Sequence, residues 1–280
     1  MTHNKKSSLL CSLHSNLQLT NEAFLLTFNY AGPIPSGGQF FLVKPVLSPV
    51  FLPRPFCAFD FKETEGGERR ISFLIARRGA GAQALCAMAS GQDAVITGPL
   101  GNCWEEAASG AVKNGAGGRA AIVCGGVGIA AFNLWILETL KQEKKYFKFI
   151  DFYGGFKTEP FAFLSIAQKI EKAGGSVVIA SENPACNLKY QDLNFNIQNG
   201  VATDFIDFKK YTAVFACGPL PLLKKAAAEC AGNNVSCFVS LEKKMACGVG
   251  ACLGCAINGK SGSKRICADG PIFDAKEMFL

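Results

Sequence analysis

Four cysteines near the C-terminal end of the sequence have a spacing that could hold a metal cluster. Cys247, Cys252, Cys255 and Cys267 follow the pattern C-x4-C-x2-C-x11-C. This is the spacing of plant-type [2Fe–2S] proteins, in which four thiolates hold two irons. Glycines inside the loop allow tight turns that bring backbone N–H groups close to the sulfides. The spacing therefore predicts that these four cysteines ligate one [2Fe–2S] cluster.

Two other interpretations of the same cysteines stay open at this point: a structural zinc site and inert thiols. Structural zinc is usually held by paired C-x2–4-C knuckles. This stretch has one C-x2-C, one C-x4-C and a distant fourth cysteine. The other nine of the 13 cysteines are dispersed along the chain. We expect them to be small buried hydrophobes and not a disulfide framework.

Two turns in the middle of the chain could bind a dinucleotide. Gly125-Gly126-Val127-Gly128 lies between a predicted strand and a predicted helix, where backbone N–H groups can face a pyrophosphate. Cys217-Gly218-Pro219 follows a later strand, and open α/β sheets bind ligands at the carboxyl ends of their strands. The first turn is not a full G-x-G-x-x-G. Either turn could also serve only to connect two elements.

An arginine in the first third of the chain could bind a phosphate. Arg54 opens the stretch Arg54-Pro55-Phe56-Cys57. A guanidinium at the end of a strand can neutralise a phosphate through a bidentate contact. The competing interpretation is an arginine that is simply solvated, because Arg-Pro is a common pair.

Three regions with different patterning divide the chain. Residues 1–106 contain short apolar runs bounded by Gly, Pro and Asn, which is typical of an antiparallel β-barrel. Residues 119–235 alternate apolar runs with helical patterns, which predicts an α/β domain with a parallel sheet. The Gly-rich segment 107–118 is predicted to link them, and residues 236–280 form a small Cys- and Gly-rich module. The predicted fold is therefore multidomain.

The same patterns predict individual elements. In the first region, strands are expected over Ala23–Phe28, Gln39–Val43, Arg70–Ile75 and Asp93–Thr97. In the second, strands are expected over Arg119–Cys124, Tyr146–Tyr153, Ser176–Ala180 and Tyr211–Ala216. Helices are expected over Ala130–Lys141, Phe161–Ala173 and Leu220–Cys230, with a helix-like turn near Thr203–Phe208.

Composition narrows the possible functions. The formal net charge is +7 and the Lys and Arg residues are scattered, so nucleic-acid binding is not expected. No apolar h-region follows the N-terminus, so no signal peptide is expected. The uncharged stretch Ala120–Leu137 contains glycines that divide it into strand, turn and helix, so it is not expected to span a membrane. We expect a cytoplasmic protein. The only histidines, His3 and His14, argue against a His-based nucleophilic site.

Taken in chain order, these motifs resemble those of the ferredoxin reductase superfamily. The matching stretches are Arg54–Cys57, Gly98–Gly101, Gly125–Ala130, Cys217–Pro219 and the C-terminal cysteines. The tail is more specific, because Ser240–Cys255 and Cys267–Phe273 resemble the electron-transfer subunits of NAD-dependent (class 1B) dihydroorotate dehydrogenases. The similarity covers nearly the whole chain. It implies an FAD-binding β-barrel, an NAD-binding α/β domain and a C-terminal [2Fe–2S] module.

The resemblance also implies roles for particular residues. Arg54-Pro55-Phe56-Cys57 matches a motif expected beside the FAD phosphates or ribityl chain, with Cys57 where the family has Ser. Leu74-Ile75-Ala76 matches a strand that lines FAD, with Ala76 replacing an Arg, and Gly81-Ala82 replaces Gly-Thr. Ala131 replaces a Pro in the nucleotide loop. A thiol donates a weaker hydrogen bond than a hydroxyl, so an altered flavin affinity is expected. Glu182 could bond a ribose hydroxyl of NAD, although a solvated loop carboxylate is the simpler interpretation.

The resemblance implies a partner as well. This would be an FMN-containing catalytic subunit that oxidises dihydroorotate to orotate in pyrimidine synthesis, in a heterotetramer of two copies of each subunit. The loop Met245–Cys255 is expected to lie at the interface with it. Val249, Leu253 and Phe273 are candidate contacts, or they pack within the cluster module.

The cofactors determine the order of electron transfer. NAD exchanges a hydride and a [2Fe–2S] cluster exchanges one electron, so FAD, which can do both, is expected between them. Electrons would pass from the FMN of the partner through the cluster and FAD to NAD+. The competing hypotheses are a related subunit of a sulfide dehydrogenase, a hydrogenase or a ferredoxin:NADP oxidoreductase, and a non-enzymatic redox sensor.

Overall fold

The computed structural model describes residues 7–112, 117–141, 146–157, 164–183 and 197–280. His3, Cys186, part of the predicted linker and the first residues of the predicted helix Phe161–Ala173 lie outside these ranges. No disulfide joins the cysteines of the described residues. In this part of the chain, no helix is both long and apolar enough to cross a membrane.

The first region folds into a curled antiparallel sheet of seven strands. Their order across the sheet is β4-β3-β7-β1-β2-β6-β5. The strand β1 pairs with β7 up to Ser12 and with β2 from Leu13 onward, and an irregularity follows Leu13, so the sheet bends there. The strands are β1 Ser7–Gln18, β2 Ala23–Asn29, β3 Phe40–Pro45, β4 Arg54–Cys57, β5 Asp60–Glu63, β6 Arg69–Ala76 and β7 Asp93–Leu100.

Aromatic side chains fill the inside of this half-barrel. Phe41 contacts both Tyr30 and Phe73 edge-on, and Phe28 also packs on Phe73. Each ring buries a large apolar area, on the order of 1.5–3 kcal/mol of stabilisation per side chain. The strand β3 is buried on both faces, because its outer face is covered by the C-terminal module. This explains why its sequence does not alternate between apolar and polar residues.

The segment after the half-barrel is partly helical, which corrects the predicted linker 107–118. A helix, α2, spans Trp104–Ala111 and crosses the predicted domain boundary. Trp104 is fully buried and stacks on Phe132, with ring centroids 4.6 Å apart. Its indole N–H donates to the carbonyl of Ala131 at 2.7 Å. A short helix, α1, spans Gly79–Cys86 before β7. The linker prediction missed the apolar anchor that Trp104 provides.

The α/β region forms a second seven-stranded sheet, in the order β11-β10-β9-β8-β12-β13-β16. All neighbours are parallel except β16, which runs antiparallel to β13. The strands are β8 Arg119–Gly125, β9 Phe149–Phe156, β10 Val177–Ser181, β11 Ile197–Asn199, β12 Ala213–Cys217, β13 Ser236–Ser240 and β16 Ile272–Asp274. The helices are α3 Asn133–Lys141, α4 Leu164–Lys172 and α5 Leu220–Gly232, with 3₁₀ turns at Gly126–Ala131, Ala202–Phe205 and Phe208–Lys210.

Two of these strands come from the predicted C-terminal module. Both β13 and β16 belong to residues 236–280, so the module shares the nucleotide sheet and is not a separate body. A small hairpin, β14 Ala256–Gly259 with β15 Gly262–Arg265, and two short helices complete it. The helices are α6 Ile266–Asp269 and α7 Ala275–Phe279. The predicted helix starting at Ala130 begins instead as a 3₁₀ turn, because the chain bends tightly after β8.

A buried carboxylate holds the amino ends of four strands together. Asp151 on β9 accepts hydrogen bonds from Arg119 on β8 at 2.6 and 2.7 Å, and from the Tyr211 hydroxyl at 2.8 Å. The backbone N–H of Ser176 donates to it at 2.7 Å. The Tyr211 hydroxyl also bonds that of Tyr153 at 2.7 Å. Burial, followed by these two hydrogen bonds, raises the pKa of Tyr211, so it stays protonated.

We expect Asp151→Ala to destabilise the fold by about 3 kcal/mol, because it leaves Arg119 and Tyr211 without their shared acceptor. The measurement is the free energy of unfolding in denaturant. Asp207→Ala is the matched control, since its 3.6 Å pair with Lys210 is exposed and should contribute less than about 1 kcal/mol. Equal losses in the two variants would contradict the role of the buried network.

Candidate functional site

The predicted nucleotide turns meet at the carboxyl ends of the central strands. Cys217 ends β12 and lies in register with Cys124 of β8 and Ser240 of β13. The turn after β8 packs against the turn after β12, since a Cβ built on Gly128 would lie 2.5 Å from the carbonyl oxygen of Cys217. The structure therefore brings together Gly125-Gly126-Val127-Gly128 and Cys217-Gly218-Pro219. Their position is the crevice where open α/β sheets bind ligands.

The half-barrel reaches the same crevice through β4. Cys57, the last residue of β4, packs against the apolar core of the nucleotide sheet together with Cys217. It also packs against the apolar core of the C-terminal module. Three regions that are separate in sequence therefore meet at Cys57.

The thiols at this junction are protonated at neutral pH. Burial raises the pKa of Cys57 to about 12, with a smaller contribution from the charge of Glu242. Burial also raises the pKa of Cys217, and a hydrogen bond with Ser240 opposes that rise. A protonated thiol is a weak hydrogen-bond donor and a poor nucleophile. These side chains suit a site that positions a ligand, and they do not suit covalent catalysis.

Arg54 is held in place by its own chain and by α1. Its guanidinium donates to the carbonyls of Leu52 at 2.9 Å and Pro53 at 3.3 Å. The side chain crosses Gly81 so closely that a Cβ there would lie 2.4 Å from Nε. Ala82, beside it, is buried in the half-barrel. Arg54 and the first turn of α1 therefore form one unit, and the other guanidinium N–H groups can still receive a phosphate.

The stretch Leu74-Ile75-Ala76 offers backbone groups more than side chains. Leu74 and Ile75 are buried in two different apolar cores. Pairing of β6 with β5 ends at Ser72, and among the described residues no strand extends that edge. A ligand lining this stretch would therefore meet its main-chain edge. Glu182 is exposed just after β10, at the carboxyl edge of the nucleotide sheet.

The four predicted cluster ligands lie together in two pairs. The Cys255 and Cys267 sulfurs are 3.3 Å apart, and Cys247 bonds with the side chain of Cys252. Within the described residues, no three Cys, His, Asp or Glu side chains are arranged to hold a single metal ion. Two pairs of thiols are the grouping that two bridged irons require.

Backbone N–H groups point at these sulfurs. Val249 and Cys252 each donate to the Cys247 sulfur at 3.5 Å, and Gly250 donates to that of Cys267 at 3.1 Å. The N–H groups of Val249 and Cys252 lower the pKa of Cys247 to about 6. Burial raises the pKa of Cys267 to about 12. Thiolates are the ligand form, and such donors also stabilise cluster sulfur, so the loop fits an iron–sulfur group.

The cluster loop lies against the half-barrel and is open on its other side. Gly248 and Gly250 have φ of 69° and 83°, which L side chains rarely adopt. A Cβ on Gly248 would also lie 2.7 Å from the Leu42 side chain of β3. Val249 and Leu253 are exposed, as proposed for an interface. Of the two alternatives left open for Phe273, packing within the module is the one observed, because β16 buries it in the module core.

Sequence reasoning missed three residues that join these parts. Ser240 and Glu242 adjoin Cys217 because β13 lies beside β12. Asn102 donates to the carbonyl of Ile272 at 2.8 Å and accepts from its N–H at 3.0 Å, like an added strand residue. Ser240 and Glu242 lie in the stretch that resembles the family, but only the strand order shows that they adjoin Cys217, and no local motif marks Asn102.

A half-barrel, a parallel sheet with a glycine turn at its carboxyl edge and a four-cysteine loop together form a fold of the ferredoxin reductase type. Among solved structures, that of an NADH-dependent reduced ferredoxin-NADP oxidoreductase is similar, with a TM-score of 0.70 at 20% sequence identity over 96% of this chain and 89% of that chain. At this identity, the likeness shows the fold alone.

Sequence comparison identifies the family. Residues 242–279 match the iron-sulfur cluster binding domain of dihydroorotate dehydrogenase B. The electron transfer subunit of dihydroorotate dehydrogenase B (NAD(+)) from Caldanaerobacter subterraneus subsp. tengcongensis is 35% identical, over 95% of this chain and 96% of that protein. The same subunit from Clostridium perfringens is 33% identical, over 94% of each. The chain belongs to the family of dihydroorotate dehydrogenase B electron transfer subunits.

We expect Cys252→Ser to abolish or disorder the cluster, because it removes one of four thiolate ligands. The parent should contain iron and acid-labile sulfide at about two of each per chain. Cys103→Ser is the matched control, since Cys103 is a free thiol outside the loop. Zinc without sulfide in the parent, or full sulfide content in Cys252→Ser, would contradict the assignment.

We expect Arg54→Ala to weaken FAD binding by about 1.5–3 kcal/mol, because a charge-assisted phosphate contact is lost. Gly81→Ala should act in the same direction, since its methyl group would displace the Arg54 side chain. The measurement is the FAD dissociation constant of each purified variant. Lys62→Ala, an exposed cation on β5, is the control. FAD binding as tight as in the parent would show that Arg54 is not a contact.

Proposed function

We propose that this chain carries electrons between an FMN-containing catalytic subunit and NAD+, in the oxidation of dihydroorotate to orotate for pyrimidine synthesis. The assembly would contain two copies of each subunit. When bound, FAD would supply the exchange between single electrons and a hydride, and the [2Fe–2S] group would supply the single electrons. Family membership supports the reaction and the existence of a catalytic partner.

The observation that carries this proposal is the meeting of three regions at Cys57. A flavin held by Arg54 and the first turn of α1 would extend toward Cys57 and Cys217. The cluster loop packs on β3, the strand that pairs with β4. The nucleotide turns open onto the same crevice. The chain therefore offers one place where a cluster, a flavin and a nicotinamide could be neighbours.

Each group of residues has a binding or positioning role in this proposal. Arg54, Gly81 and the main-chain edge of Leu74–Ala76 would hold FAD. The turns at Gly125–Gly128 and Cys217–Pro219 would hold NAD, with backbone N–H groups toward the pyrophosphate. The apolar packing around Cys57 would exclude water from the reacting groups, and the four loop cysteines would hold the cluster.

We expect the isolated chain to oxidise NADH with artificial electron acceptors and to leave dihydroorotate unreacted, because the proposal assigns the FMN site to the partner subunit. Addition of the FMN subunit should restore electron transfer from dihydroorotate to NAD+. The measurement is NADH absorbance with and without that subunit. Dihydroorotate oxidation by the chain alone would contradict the division of labour. NADPH oxidation coupled to ferredoxin, without response to the FMN subunit, would favour the ferredoxin:NADP oxidoreductase alternative.

A further inference from the structure

Several large apolar side chains are exposed on one face of the half-barrel. Leu47 and Phe51, in the loop between β3 and β4, are 86% and 84% exposed. Leu10 on β1 is 66% exposed, and Val95 on β7 is also exposed. Isolated exposed apolar residues are common, but a group of them on one face marks an interaction site.

Strand register places these residues side by side. Leu10 pairs with Val95, and Val95 pairs with Lys44 of β3, so the three side chains form one row on the outer face. The Lys44 ammonium lies 5.8 Å from the centroid of the Phe51 ring. The loop that carries Leu47 leaves β3 directly after this row, where the N–H of Val46 donates to the carbonyl of Asp93.

The exposed row begins at the point on β3 where the cluster loop no longer covers the strand. Leu42, two residues before Lys44 on the same face of β3, is buried under Gly248 of the cluster loop. Two residues along a strand correspond to roughly 7 Å. The cluster loop, on which Leu253 and Cys252 are exposed, therefore reaches the edge of the row at Leu42. We name Leu10, Lys44, Leu47, Phe51, Val95 and Leu253 the docking face.

We propose that the docking face binds the catalytic partner subunit, so that the contact extends from the cluster loop across β3, β7 and β1 to the loop between β3 and β4. This proposal rests on the proposed function, because it takes the partner from there. The fitting partner surface is apolar, with a pocket for Phe51 and an acceptor or carboxylate opposite Lys44.

The catalytic subunit is favoured as the partner because of the area that an interface needs and because the docking face adjoins the cluster loop. A stable protein interface buries about 800 Å² on each partner, which is more than the few exposed residues of the cluster loop can supply. A partner that delivers electrons must cover the cluster loop and therefore needs adjoining surface. Apart from Lys44, the docking face is apolar, and it offers the aromatic side chain of Phe51, as interface cores do.

Leu10→Asp and Leu47→Asp, singly and combined, test the proposal in the full chain loaded with FAD and cluster. Both side chains are exposed, so the fold should survive. Each charge would have to be desolvated at the interface, so the dissociation constant for the FMN subunit should rise at least tenfold for the double variant. Leu17→Asp, at a 54% exposed position on the same strand β1 but outside the docking face, should bind as the parent does.

Three measurements separate the outcomes. Calorimetry gives the affinity for the FMN subunit, sedimentation gives the oligomeric state of the chain alone, and flavin reduction by NADH reports on the FAD and NAD sites. Flavin reduction should be unchanged in all variants. Parent-like binding by the double variant would overturn the docking face and leave the proposed function standing. Tight parent binding without transfer from dihydroorotate to NAD+ would contradict the proposed function alone. A parent that does not bind the FMN subunit, or a dimer of the parent that the double variant dissociates, would overturn the chosen occupant.

Discussion

The arrangement of this protein depends on the pairing of β16 with β13. This antiparallel pair adds the end of the C-terminal module to the edge of the nucleotide sheet. Asn102, at the exit of the half-barrel, completes the join through two hydrogen bonds with the backbone of Ile272. Because one strand is bonded on one side to the sheet and on the other to the half-barrel exit, the cluster loop is held against β3. A cluster on a mobile tether could not keep a constant distance to a flavin.

The two ends of the nucleotide sheet differ in polarity: a buried ion pair lies at the amino end, and mainly uncharged side chains lie at the carboxyl end. At the amino end, Asp151 and Arg119 form a buried ion pair whose hydrogen-bonding capacity is met by Tyr211 and Ser176. At the carboxyl end, the side chains in register at the junction are thiols and a serine, with Glu242 as the nearby charge, and the turns there are rich in glycine. A buried charge fixes one geometry at a high cost in desolvation, which suits a structural clamp. Neutral donors leave the crevice available to charged cofactors.

Cys57 illustrates the effect of replacing an expected serine by cysteine at the junction of the three regions. The motif that the sequence resembles is expected to have a serine at this position, and burial keeps the thiol of Cys57 protonated. Its position is set by β4 and by packing on two cores, not by its own hydrogen bonds. The substitution can therefore change the strength of one donor toward a ligand while the geometry of the junction is retained.

Short-range sequence patterns were sufficient to predict the type of cluster loop and the order of the regions along the chain. The spacing Cys247 to Cys267 predicted one cluster loop, and the periods of apolar residues predicted a β region followed by an α/β region, because both signals act over short stretches. Tertiary structure alone decided that β13 and β16 join the nucleotide sheet, that Trp104 anchors a helix in the predicted linker, and that Phe273 is buried. These outcomes depend on strand order and on contacts between residues about 30 to 170 positions apart, such as those of Trp104 with Ala131 and of Asn102 with Ile272, which no local pattern encodes.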